Sequence, residues 1–196
     1  MKFGIRQATI AALAATVFGN AFAADTPDHG MAMNHKAGRT DQQLIESAMK
    51  AGPSFLAAKA TIVAMNADGT LRTIRQGSNG YTCMPDSGAA PGPDSMCADG
   101  PAMKWLGAYM AHKAPEPNAV GLIYMLAGGT DASNTDPYAQ KPAPGNDWIR
   151  TGPHVMVVGA DSAFYKAYPG PENPDVNEPY VMWPGTPYQH LMAPSR

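Results

Sequence analysis

The sequence predicts an α+β fold: a single domain over residues 40–196 built on a mainly antiparallel sheet of about five strands. Two main helices, long Pro/Gly-rich loops and one disulfide complete it. Three observations lead there. Apolar runs of strand length and strand composition recur along the chain. Only two segments combine helical periodicity with capping signals. Helices and strands do not alternate regularly, which argues against a doubly wound parallel sheet. Gly (20) and Pro (19) make up about a fifth of the 196 residues, so elements are short and turns are many.

Thr40-Asp41-Gln42-Gln43 has the form of a capping box, with Thr at the N-cap and Gln three residues on. Leu44, Ile45, Ala48 and Met49 follow at helical spacing, and Gly52-Pro53 stops that helix. Ala60 to Met65 is β-branched and apolar, Asn66-Ala67-Asp68-Gly69 is turn chemistry, and Thr70 to Arg75 resumes an extended pattern. That is a hairpin whose first arm is inner and whose second, with Arg72 and Arg75, lies near an edge. Residues 76–100 read as irregular. A second helix starts at Pro101 behind an Asp99 or Gly100 cap and carries the stripe Ala102, Trp105, Leu106, Tyr109, Met110. Val120 to Leu126 is a continuous apolar run suited to a central strand. A long loop over 128–152 precedes the strand His154 to Val158. A short helix or turn over Ala163 to Tyr168, a strand over Tyr180 to Trp183 and one helical turn over Tyr188 to Met192 complete the expectation.

Before this domain the chain carries an address. Lys2 and Arg6 precede an apolar run from Ala8 to Phe18, and Ala21-Phe22-Ala23 has the small-x-small pattern of a cleavage site. Residues 1–23 therefore read as a signal peptide, and the product as exported, periplasmic or secreted. The apolar run is too short to cross a bilayer, and no later segment is long and apolar enough. With 14 Lys+Arg against 16 Asp+Glu, the chain has no basic field for a phosphate backbone, so nucleic acid is not an expected partner.

Export sets the reading of the cysteines. Cys83 and Cys97 are the only two, and in an oxidising compartment they are expected to pair. The bridge closes a loop of about 15 residues, worth about 3 kcal/mol in the chain-entropy model. Met84 and Met96 flank the pair symmetrically. They read either as gap fillers around the bridge or as donors of a sulfur-rich metal site.

Residues 24–39 read as a flexible tail. Within it His29, Met31, Met33 and His35 recur at every second position. Thioether and imidazole are ligands for copper, and the segment resembles the Met- and His-rich copper-binding stretches of some periplasmic metal-handling proteins. The position of His154 at the end of the longest loop suggests a second kind of chemistry. It would act as acid/base or ligand, oriented by Asp136 of Ser133-Asn134-Thr135-Asp136-Pro137, with His190 as a further candidate. The same five residues are also good turn chemistry. Trp105, Trp148, Trp183 and the eight Tyr could line a ligand cleft. No GxSxG, HExxH, Walker A or CxxCH motif is present.

Two functional expectations follow. The first is a small exported binding domain for a metal ion or small-molecule ligand, with copper held by the tail His and Met residues. The alternative is a small exported enzyme of hydrolase type, its site formed by the long loops around His154.

Overall fold

A computed structural model of the chain describes residues 38–195. Residues 1–23, expected to be a signal peptide, lie outside the described residues, as does the segment with His29, Met31, Met33 and His35.

The first helix, α1 (Asp41–Met49), begins where the capping box puts it. Thr40 Oγ1 accepts from the Gln43 N–H (3.3 Å), and Gln43 Oε1 accepts from the Thr40 N–H (2.9 Å). A four-residue helix α2 (Ser54–Ala57) follows. Strands β1 (Thr61–Met65) and β2 (Leu71–Arg75) form the expected hairpin, and β2 is an outer strand of the sheet. Next come β3 (Thr82–Met84), β4 (Met96–Ala98), α3 (Gly100–Met110), β5 (Gly121–Met125), β6 (Gly129–Asp131) and β7 (Ile149–Thr151). The chain ends with β8 (His154–Val158), α4 (Ser162–Tyr165), β9 (Tyr180–Met182) and β10 (His190–Pro194).

The architecture is α+β, but larger than the sequence predicts. The main sheet has eight strands, ordered β2-β1-β3-β4-β5-β8-β10-β9, and β6-β7 form a separate two-stranded ribbon. All pairings in the main sheet are antiparallel except β1 with β3. Four helices are present among the described residues, two of them only four residues long.

Three departures account for the difference. The segment 76–100 is not irregular throughout: β3 and β4 pair with Cys83 directly opposite Cys97, and the two are disulfide-bonded. All three Pro residues of that segment, with Gly88 and Gly92, fall in the connection between the two strands. Second, the loop over 128–152 contains β6 and β7, whose three-residue strands are too short to show a period. Third, the C-terminal segment is not a helical turn. It is β10, which fills the place between β8 and β9. Backbone donors of two neighbouring strands overrule the local helical reading there.

The sheet has two covered faces. On one, Cys83, Cys97 and Ile62 pack against Ala48, Leu56 and Ala57 of α1 and α2, and Val181 and Leu191 pack against Tyr165 of α4. On the other, α3 lies over β5, with Ala102, Trp105 and Leu106 buried. Asp99 joins helix to strand: Oδ1 accepts from Ala102 N–H (2.9 Å) to cap α3, and Oδ2 accepts from Leu122 N–H (3.1 Å). The approach is close, since a Cβ on Gly121 would lie 2.3 Å from the Ala102 nitrogen.

Candidate functional site

The α3 face of the sheet is the chemically unusual one. Directly opposed residues of paired strands share a face, as do alternate residues of one strand. Met84 opposes Met96, Ala98 opposes Ile123, Met125 opposes His154, Ile123 opposes Met156, Met156 opposes Met192, and His190 opposes Met182. Six methionines and two histidines therefore project from one face.

A cavity of about 210 Å3 opens over this face. Its floor includes Met96, Met125, Met156, Met182, Met192 and His190. Its walls include Trp105, Tyr109, Trp148 and Trp183, so all three tryptophans of the chain reach it, as the composition suggests. The aromatic wall is a stack: Trp183 and Tyr109 centroids are 5.2 Å apart and nearly parallel, and Tyr109 stacks on Tyr138 at 5.4 Å. Tyr109 Oη is fixed by donating to the Pro137 carbonyl (2.7 Å). Trp183 is held at φ 54°, a left-handed conformation unusual for a bulky side chain. Its N–H donates to the Asn134 carbonyl (2.8 Å), and its indole Nε1 donates to the Ser133 carbonyl (3.0 Å).

The acidic lining consists of Asp94, Asp131 and Asp136, and among the described residues no Lys or Arg lines the cavity. Burial pushes the Asp131 carboxyl up to about 7, helped by the nearby Asp94 charge. Burial likewise raises Asp94 to about 6, with Asp86 adding to the effect, while bonds from Ser87 oppose it. Ser87 N–H donates to Asp94 Oδ1 at 2.7 Å, and the Ser87 hydroxyl donates to Oδ2.

His190 is fully buried. Its Nδ1 lies 2.9 Å from the Tyr188 carbonyl. A carbonyl only accepts, so Nδ1 carries the proton and Nε2 presents a lone pair. That Nε2 has no hydrogen-bond partner among the described residues. Burial depresses the His190 pKa to about 4, so the ring is neutral at pH 7. Trp105 and Trp183 meet the ring edge-on, with centroids 5.4 and 5.0 Å away. Trp105 Nε1 and Thr130 Oγ1, both on cavity-lining residues, are also buried without partners among the described residues.

The sequence candidates fall as follows. His190 and Asp136 face the same cavity. Asp136 is exposed at its rim in the turn its sequence predicts: its N–H donates to Ser133 Oγ (3.0 Å), and its Oδ1 accepts from Tyr138 N–H (2.9 Å). His154 is fully buried and is not among the side chains lining that cavity. Its Nδ1–H donates to the Gly152 carbonyl (2.7 Å), its Nε2 is unpartnered, and burial lowers its pKa. Met84 and Met96 project from the face opposite the disulfide, and Met96 reaches the cavity. Among the described residues, no three His, Cys, Asp or Glu side chains gather as a metal site.

Sequence reasoning missed Asp94, Asp131, Met182 and Met192. The alternations Tyr180-x-Met182 and His190-x-Met192 carried a usable signal for the methionines, once both segments are read as strands. Asp94 and Asp131 sit in turn-like and very short segments, and nothing local marks them.

No protein-family model matches this chain, and neither a curated protein nor a solved structure is significantly similar to it. Its function has to be read from the cleft's own geometry.

Proposed function

We propose that the chain is an exported binding domain whose cleft takes a small cation. One observation carries the reading: three carboxylates and three indoles line the cavity, and no Lys or Arg among the described residues does. In a partly desolvated site, carboxylates without a protein counter-charge attract a cation from solvent, and indole faces add cation–π attraction. The Lys2/Arg6 n-region, the apolar run and the Ala21-Phe22-Ala23 pattern support export.

The test uses tryptophan fluorescence, since every indole of the chain borders the cleft. The full mature chain is titrated with benzyltrimethylammonium, benzyl alcohol and benzoate at about pH 8 and about pH 5. The cation should perturb emission saturably at the higher pH and bind more weakly at the lower one, where Asp94 and Asp131 are protonated. Equal binding of benzoate or benzyl alcohol, or no response to the cation, overturns the reading.

A second reading has its own specific basis. Two neighbouring carboxyls raised to about 6 and about 7 are poised for proton transfer near neutral pH. In the hydrolase alternative they, with His190, take the acid/base roles. Turnover of chromogenic esters or glycosides, lost in Asp131→Asn, would favour it. Absence of turnover across the panel would leave binding as the function.

A further inference from the structure

Resting on the cation-binding reading of the cleft, we propose that its floor holds a soft monovalent metal ion of the Cu(I) class. His190 Nε2 and the thioethers of Met182 and Met192 are the ligands, with Met156 beside them. This site is distinct from the His29, Met31, Met33 and His35 segment.

The register brings these groups together. Met182 is the direct cross-strand partner of His190, and Met156 is that of Met192. Such partners have Cα atoms about 4.5–5.5 Å apart. Met192 lies two residues after His190 on the same strand and face, about 7 Å along it. All four side chains line one cavity. The unbranched thioether arms of Met have the reach and freedom to converge on a point beside the imidazole.

The donor set selects the metal. Thioether sulfur and neutral imidazole suit Cu(I), whereas Ca2+ and Mg2+ require oxygen ligands. A structural zinc site would need several His, Cys or carboxylate ligands together, and among the described residues none gather. Both cysteines are in the disulfide, so no thiolate competes for a soft ion. The imidazole is prepared for ligation: Nδ1–H is anchored to the Tyr188 carbonyl, which fixes the tautomer and leaves a buried lone pair with no partner among the described residues. Asp94 and Asp131, lining the same cavity, supply negative charge for a bound cation. Packing alone explains a Met floor, but not an orphaned imidazole nitrogen within it.

Ag(I), a redox-inert ion of the same softness, is the first probe, and Cu(I) under anaerobic conditions is the second. Both are added to the full mature chain without thiol reductant. Trp105 and Trp183 border the His190 ring, so binding there should quench their emission at one equivalent. Quenching should persist in a variant with His29, Met31, Met33 and His35 all changed to Ala. It should be lost, or its affinity should fall at least about tenfold, in Met182→Leu/Met192→Leu; even outer-shell changes cost metal sites about 10–100-fold. That double variant keeps volume and apolarity, so it should remain folded, whereas His190→Ala opens a cavity in the core. Circular dichroism checks this. Unchanged quenching in the Met double variant, or loss of quenching in the tail variant, overturns the proposal. Binding of benzyltrimethylammonium without binding of Ag(I) defeats the metal assignment and leaves the cation-binding cleft standing. Failure of both defeats both.

Discussion

Replacing Asp131 by Asn removes one ionisable group while keeping the side chain's shape. In the folded protein burial and the Asp94 charge lift this carboxyl from 3.8 to about 7. Each unit corresponds to about 1.36 kcal/mol, so ionising Asp131 in the native state opposes folding by roughly 4 kcal/mol at most. Because Asp131 is only partly buried, solvent screening lowers that ceiling. The sign follows from proton binding. The folded state holds the proton more tightly than the unfolded state, so this contribution to stability is fully present below about pH 4 and is lost as pH rises through about 7. His190 acts in the opposite direction. Its folded pKa falls from 6.5 to about 4, so its contribution is present above about pH 6.5 and is lost as pH falls through about 4. Between those limits the two slopes oppose each other, and the wild-type pH profile alone conceals both. The informative quantity is the difference between Asp131→Asn and wild type in urea unfolding, followed by tryptophan emission at about pH 4, 5.5 and 7.5. The variant should gain stability relative to wild type as pH rises, by a few kcal/mol at the upper end. It should also bind cations more weakly there. A difference that stays constant across the three pH values refutes the burial argument for this carboxyl.

Three further substitutions test the frame around the cleft. Changing Cys83 and Cys97 together to Ala should lower stability by about 3 kcal/mol in urea unfolding. The ligand response should survive, because the disulfide lies on the other face of the sheet. Asn134→Ala removes the amide that donates to the carbonyls of Pro171 (2.6 Å) and Val181 (3.1 Å). The buried Val181 carbonyl left unpaired costs about 1–3 kcal/mol, and Trp183 emission should change because the same segment anchors its backbone. Gly121→Ala forces a methyl against the backbone of Ala102, so calorimetry should show a loss of about 1–3 kcal/mol.

The two longer helices and four of the five-residue strands were legible in the sequence because each carries its own local signal. The exceptions were His190–Pro194, read as a helical turn, and the four-residue helix Ser54–Ala57. Thr40 and Gln43 announce α1, the Asn66 to Gly69 turn announces the first hairpin, and the Gly121–Met125 run is apolar enough to mark a central strand. Of the three-residue strands only Tyr180–Met182, with its Val181 and flanking aromatics, was legible. Thr82–Met84, Met96–Ala98 and Ile149–Thr151 have three residues each, too few to establish a period, and they owe their conformation to partners distant in sequence. The site divides along the same line. His190 and Asp136 were singled out by residue type, but their shared cavity depends on β10 inserting beside β8. Asp94 and Asp131 acquire their character only from burial and mutual proximity, neither of which is written locally.

Three physically unrelated expenses meet at this cavity. Holding Trp183 in the left-handed region costs on the order of 1–3 kcal/mol in backbone energy. Leaving His190 Nε2, Trp105 Nε1 and Thr130 Oγ1 buried without partners is a hydrogen-bonding penalty. Raising Asp94 and Asp131 is an electrostatic one. A core selected for stability alone has no reason to gather torsional, hydrogen-bonding and electrostatic strain around one void, because relieving each would need only an ordinary substitution. A bound cation relieves two of them at once. It lets the carboxylates ionise against an opposite charge and, if it is a soft metal ion, gives the His190 lone pair a partner. A cation bound there would be coupled to the fold's stability, and its addition should raise the urea midpoint most above pH 7, where the carboxylates oppose folding most strongly.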